Sequence, residues 1–211
     1  MFKLAFAFAA IAAASPVLAQ DAPQSFNGPY VGIQGGWQQD RQTLDVTNNG
    51  LTTSASQNKS GFGYGGQIGY DFRLSDQVVF GVEVDATGRT GTSQLGGANG
   101  LELKQGRTLA ATARLGYLVA PDSLLYARGG YANGRFTLRD ATTNISENRD
   151  GWQIGAGYEQ MIARNVSARI EYAHSKFGSD QLPALATNLG ASAAQVKYSR
   201  NAVTAGLNFR F

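Results

Sequence analysis

The sequence predicts an all-β fold: an eight-stranded antiparallel up-and-down transmembrane β-barrel. Three observations carry this. Apolar and polar residues alternate with a period of two in segments spread along nearly the whole chain. The face opposite the apolar one carries glycine and charge instead of a second apolar layer. Connections alternate between short and long, as in a barrel whose turns lie on one side of a membrane and whose loops lie on the other.

Each element follows from its own residues. In the first strand Val31, Ile33, Gly35 and Trp37 oppose Gly32, Gln34 and Gly36. In the second Phe62, Tyr64, Gly66, Ile68, Tyr70 and Phe72 oppose Gly61, Gly63, Gly65, Gln67, Gly69 and Asp71. Here Gly61, Gly63 and Gly66 match G-x-G-x-x-G, yet the polar "TTSASQNKS" before them and the alternation after them exclude the strand-loop-helix context of a dinucleotide site. The glycines instead make room inside a barrel. "QVVFGVEVDATG" forms the third strand, with Val78, Phe80, Val82, Val84 and Ala86 on one face and Val79, Gly81, Glu83, Asp85 and Thr87 on the other. A soluble sheet would rarely place so much glycine on its exposed face.

The remaining strands repeat the scheme. The fourth alternates Leu109 to Val119 against Thr108 to Gly116, and the fifth Leu125 to Tyr131 against Tyr126, Arg128 and Gly130. The sixth sets Trp152 to Tyr158 against Gln153 to Glu159, the seventh Val166 to Tyr172 against Ser167 to Ala173, and the eighth Val203 to Phe211 against Thr204 to Arg210. Short turns are expected near Leu74 to Asp76, Ala120 to Ser123 and Ile162 to Asn165. Long loops are expected near Gln39 to Ser60, Arg89 to Arg107, Thr137 to Asp150 and Lys176 to Asn201. Tyr30, Trp37, Tyr70, Phe72, Tyr117, Trp152, Tyr158, Tyr172 and Phe209 fit aromatic girdles at the two membrane interfaces. A soluble eight-stranded barrel would turn its apolar side chains inward, whereas here the inner parity is charged.

The N-terminus reads as an export signal. Lys3, the apolar run Leu4 to Ala14, Pro16 and Val17-Leu18-Ala19 predict a signal peptide over residues 1–19, cleaved after Ala19 for the general secretory route, leaving the barrel domain at 20–211. The mature chain loses only Lys3 among its charges, and the weak positive excess does not suggest nucleic-acid binding. With no cysteine, disulfides, thiolate metal sites and thiol nucleophiles are excluded. The sole histidine, His174, shares the outward parity of Tyr172 and has no partner in sequence for metal binding or catalysis, so an interfacial side chain is the better reading.

The inward face is more informative. Asp71, Glu83, Asp85, Glu159 and Glu171 face Arg114, Arg128, Arg169 and Arg210 in a lumen just wide enough for side chains to fill. These charges are expected to pair as a plug, with Arg114 against Glu83 near mid-barrel and Arg128 beside Arg114; a narrow ion path along the same residues is the alternative. The loops carry whatever specificity the protein has, and Pro183 to Ala194 could form a short helix or an apolar patch.

"FNGPYVGIQGGW" and "VTAGLNFRF", with eight strands between them, resemble the small outer-membrane β-barrel proteins of alphaproteobacteria, relatives of the opacity proteins and of the OmpA transmembrane domain. Gly28, Pro29, Tyr30 and Gly32, and Phe211 with Tyr198, Val203, Leu207 and Phe209, carry the likeness; Phe26 stands where many relatives have tryptophan. The resemblance implies that Phe211, with Phe209 and Leu207, is an assembly signal read by the barrel-assembly machinery; unlike full-length OmpA, the chain is expected to stop at the barrel, without a peptidoglycan-binding domain. It also implies a multi-pass protein of the Gram-negative outer membrane, in contact with its lipid and lipopolysaccharide. The expected role is structural: envelope integrity and display of four extracellular loops, with no enzyme activity and no cofactor. The alternatives are a small diffusion pore and a surface receptor or adhesin, for example for haem or a host surface.

Overall fold

A computed structural model describes residues 25–48, 50–90, 93–94, 102–139, 144–181 and 192–211. The strands are β1 (Gly28–Asn48), β2 (Leu51–Arg73), β3 (Val78–Arg89), β4 (Ser93–Gln94), β5 (Glu102–Ala120), β6 (Ser123–Arg139), β7 (Asn144–Ala163), β8 (Val166–Gln181) and β9 (Ala193–Arg210). All but the two-residue β4 form one closed ring. Each pairs antiparallel with its chain neighbour, β3 joins β5, and β1 meets β9 through Tyr30↔Arg210 to Thr47↔Ala193. Closure leaves no sheet edge within the membrane, which lipid requires of a spanning sheet.

Period-two alternation sets the two faces. Val31, Ile33, Ile68, Val82, Leu115, Ile154, Ile170 and Leu207 point out to lipid and are exposed in the isolated chain, while the intervening residues are buried or half-buried. Tight turns at residues 74–77, 121–122 and 164–165 close one end of the barrel. The predicted signal peptide and most of the Pro183 to Ala194 segment lie outside the described residues.

Three expectations need correction. The stretch Gln39 to Ser60 is not a loop: β1 and β2 continue in register from Gln39↔Ser60 to Asn48↔Leu51, and β9 pairs along β1 as far as Ala193. Spanning takes only about 9–11 residues per strand, so this polar hairpin stands beyond the membrane as an extension of the barrel wall. The ends of the other predicted loops are strand as well: Lys176 and Asn201 lie inside β8 and β9, Thr137 and Asp150 inside β6 and β7, which pair as far as Arg139↔Asn144, and Arg107 inside β5. Tyr30 is not a girdle residue; it points inward and is 1% exposed, on the parity of Gly32 and Gln34.

Candidate functional site

The lumen is filled in layers. Asp71 and Glu159 alternate with Arg114 and Arg210 in the layer nearest the turns. Arg114 donates from Nε to Asp71 Oδ1 (2.8 Å) and from Nη1 to Glu159 Oε2 (2.9 Å), and its Nη2 also bonds Asp71. Arg210 bridges the same two acids, at 2.7 Å to Asp71 Oδ2 and 2.6 Å to Glu159 Oε1. Ser167 Oγ and Asn208 Nδ2 complete the shell of Glu159. Four walls of the barrel are thereby tied across its axis, by residues of β2, β5, β7 and β9.

Above this quartet lies a second layer. Glu83 accepts from Arg128 Nη1 (2.5 Å), Arg169 Nη1 (2.6 Å) and the Tyr30 hydroxyl (2.7 Å). Arg128 reaches Asp85 Oδ1 at 3.1 Å and Glu171 at 2.8 Å, and Glu171 also accepts from Tyr126. Three carboxylates meet two guanidinium groups here, and Arg128 Nε, Arg169 Nε and Thr112 Oγ1 find no hydrogen-bond partner among the described residues. The second layer is therefore less completely bonded than the first.

A third layer was not anticipated. Asp40 pairs with Arg89 and Arg200, both at 2.7 Å, and Arg200 Nη1 donates to Thr108 Oγ1. Its residues fall at or within the segments expected to be loops, where side-chain parity assigns no face. With this layer included, six carboxylates and six guanidinium groups occupy the three layers, and their formal charges balance. All nine charges expected inside are buried there.

The pairing differs from expectation at one point. Arg114 does not bind Glu83. Its register partner on β3 is Gly81, two residues nearer the turns than Glu83, whose partner is Thr112. A Cβ at position 81 would sit 2.3 Å from Asp71 Oδ1 and 2.9 Å from Arg114 Cγ, so glycine there clears the path of this ion pair. Gly69 likewise admits the Tyr30 ring and Gly157 the Tyr126 hydroxyl. The Arg114 guanidinium lies between these two tyrosines, 4.8 and 5.1 Å from the ring centroids.

At the turn end an apolar stopper closes the lumen. Phe26, preceding β1, is 1% exposed and packs with Val79, Leu118, Leu124 and Tyr126 of β3, β5 and β6. Those strands form the wall opposite β1. The preceding Ser25 donates to Asp122 Oδ1 in the β5–β6 turn (2.9 Å), so the chain crosses the mouth before entering the sheet. Phe26 has φ +61°, a conformation a bulky side chain adopts only when its surroundings enforce it. The Arg210 guanidinium, 4.6 Å over its ring, joins the stopper to the first ionic layer.

Outside the barrel, His174 sits half-buried with Nδ1 2.8 Å from Asn201 Oδ1 and its ring 5.7 Å from Trp152. Phe211 follows β9, its backbone N–H bonded to the Pro29 carbonyl and its ring against Phe209. Phe209 and Leu207 share its outward face.

The chain is similar to known outer-membrane proteins. Residues 4–211 match the family model described as outer membrane protein beta-barrel domain. The chain is 30% identical to the 31 kDa outer-membrane immunogenic protein of Brucella melitensis over 206 residues, 89% of this chain and 84% of that protein. It is 32% identical to the 22 kDa outer membrane protein of Rhizobium leguminosarum bv. viciae over 152 residues, 71% and 67% of the respective lengths. Among solved structures, Neisserial surface protein A aligns at 14% identity with a TM-score of 0.49, covering 88% of this chain and 98% of its own.

Proposed function

We propose, since this chain belongs to the outer membrane protein β-barrel family, that it serves the outer membrane as a closed structural barrel, without enzyme activity, which supports envelope integrity and displays its extensions on the cell surface. The observation that carries this reading is the filling of the lumen: three ionic layers of mutually paired charges above an apolar stopper at Phe26. A conduit needs mobile water and ions along its axis. Here guanidinium and carboxylate groups satisfy one another across the axis instead, and separating them would leave buried charge uncompensated.

The β1–β2 hairpin beyond the membrane favours a display role alongside the structural one, because its Ser, Thr, Asn and Gln side chains are exposed and stand clear of the lipid. Deleting the gene should raise leakage of a periplasmic marker protein into the medium. Wild-type protein should reverse this, as should a variant lacking residues 43–56. Arg114→Ala, which weakens the wall-to-wall ties, should restore less. Unchanged leakage in the deletion strain would oppose the integrity role, and failure of the hairpin-shortened variant alone would move the function to the surface.

A further inference from the structure

The outward face carries a second pattern. On β1, β6 and β8 an aromatic side chain is followed four residues further out by a cation: Trp37 and Arg41, Tyr131 and Arg135, Tyr172 and Lys176. Four residues advance about 13 Å along a strand, which places these cations beyond the aromatic interface and outside the hydrocarbon. Arg41 and Lys176 both pair in register with Ser199, one from each side, so their backbones lie about 10 Å apart. Trp152 is the next residue in that row.

On the opposite side of the ring, the β5–β6 ladder shifts between Gln105 and Thr108, setting Gly106 and Arg107 against Arg135. Both arginines are exposed. Like charges placed opposite one another across strands repel. Nearby acids are already engaged, Asp150 by Tyr131 and Asn133, and Asp45 by Lys197 and Ser54. Arg41, Arg107, Arg135 and Lys176 make no ion pair among the described residues. The turn end differs, with Asp76, Asp122 and Arg164 in its turns.

We propose that these two outward cation pairs, Arg41 with Lys176 and Arg107 with Arg135, form a phosphate-binding rim for the headgroups of phosphorylated lipid A in the outer leaflet. The aromatic side chains beneath would lie at the interface while the long basic side chains reach up to the phosphates. A bound phosphate would also relieve the repulsion between Arg107 and Arg135. The inference rests on the outer-membrane placement with the short turns towards the periplasm and is independent of the filled lumen, so a conducting barrel would leave it standing.

The test uses the mature barrel folded in phosphatidylcholine vesicles containing bisphosphorylated lipid A, dephosphorylated lipid A or phosphatidylglycerol. Trp37 and Trp152, the two tryptophans of the chain, are quenched by brominated phosphatidylcholine, and relief of quenching measures how strongly each added lipid displaces it near Arg41 and Lys176. Lipid A retained after detergent exchange reports both pairs. Bisphosphorylated lipid A should be preferred over the other two, and Arg41→Ala with Lys176→Ala should weaken that preference about fivefold per charge removed. Arg107→Ala with Arg135→Ala should reduce retained lipid A without altering the tryptophan signal, and the Arg→Lys versions should keep most of it. Equal displacement by phosphatidylglycerol, or undiminished preference and retention in the alanine variants, would overturn the proposal.

Discussion

At the residue scale the stability of the interior turns on which charges are shared. Arg114 and Arg210 both bridge Asp71 and Glu159, so Arg114→Ala leaves two carboxylates on one guanidinium. Removing one partner from a buried ion pair typically costs about 3–5 kcal/mol. Urea titration in lipid vesicles should show a loss of that order, and the Asp71→Asn, Arg114→Gln double change should recover part of it, since two neutral amides can bond each other. Asp85 offers a contrast: its one direct ion pair among the described residues is the 3.1 Å contact to Arg128. Asp85→Asn should therefore be milder than Asp71→Asn in the same titration, and equal losses would mean that the layers are not distinct. Much of this site was legible from side-chain parity, because period-two alternation assigns every residue of a strand to one face. Partner choice was not legible. It depends on strand register and on clearances such as that at Gly81, which only the folded ring fixes. Tyr30 was misread for a related reason: as an aromatic at a strand start it suits a girdle, but its parity already marked it as inward.

At the element scale, apolar alternation marks the lipid-crossing part of a strand and ends where lipid ends. The outer half of the β1–β2 hairpin is largely polar, with only Leu44, Val46, Leu51 and Ala55 apolar, so its sequence carries no sustained alternation to separate extended strand from loop, and Asp40, Arg89 and Arg200 lie in or border such segments. The extension is held by main-chain pairing and by surface contacts such as Lys197 Nζ to Asp45 Oδ2 at 2.8 Å. Hydrogen bonds from Lys197 and Ser54 hold the Asp45 carboxyl below its ordinary value of 3.8. A lowered carboxyl pKa contributes stability above that value and loses it as the pH falls through the folded-state pKa. Protection factors of the hairpin amides, corrected for the intrinsic pH dependence of exchange, should therefore fall as the pH drops below 3.8 while those of the membrane-spanning strands persist, and an equal fall throughout would contradict this division. β9 closes the ring, and deletion of Phe211 should reduce the amount of folded barrel in the outer membrane more than it reduces the urea stability of barrel already folded. Equal assembly with and without Phe211 would show that the residue is no assembly signal in this chain.

At the scale of the whole molecule, the barrel is held as much by ties across its interior as by its wall. Main-chain pairing closes the ring and lipid covers its outside, while the interior is spanned by salt bridges joining strands that are not neighbours, such as Asp71 on β2 to Arg210 on β9 and Glu83 on β3 to Arg169 on β8. In the proposed function the same ties that stiffen the barrel also block it, with Phe26 as the apolar stopper at the turn end. Single-channel recording of the mature barrel in planar bilayers at low voltage tests this directly. The filled lumen predicts no steady conductance for the wild type, nor for Arg114→Ala alone, which leaves Phe26 and the two outer ionic layers in place. Steady conductance in the wild type would contradict the closed barrel and make the interior charges the lining of a pore.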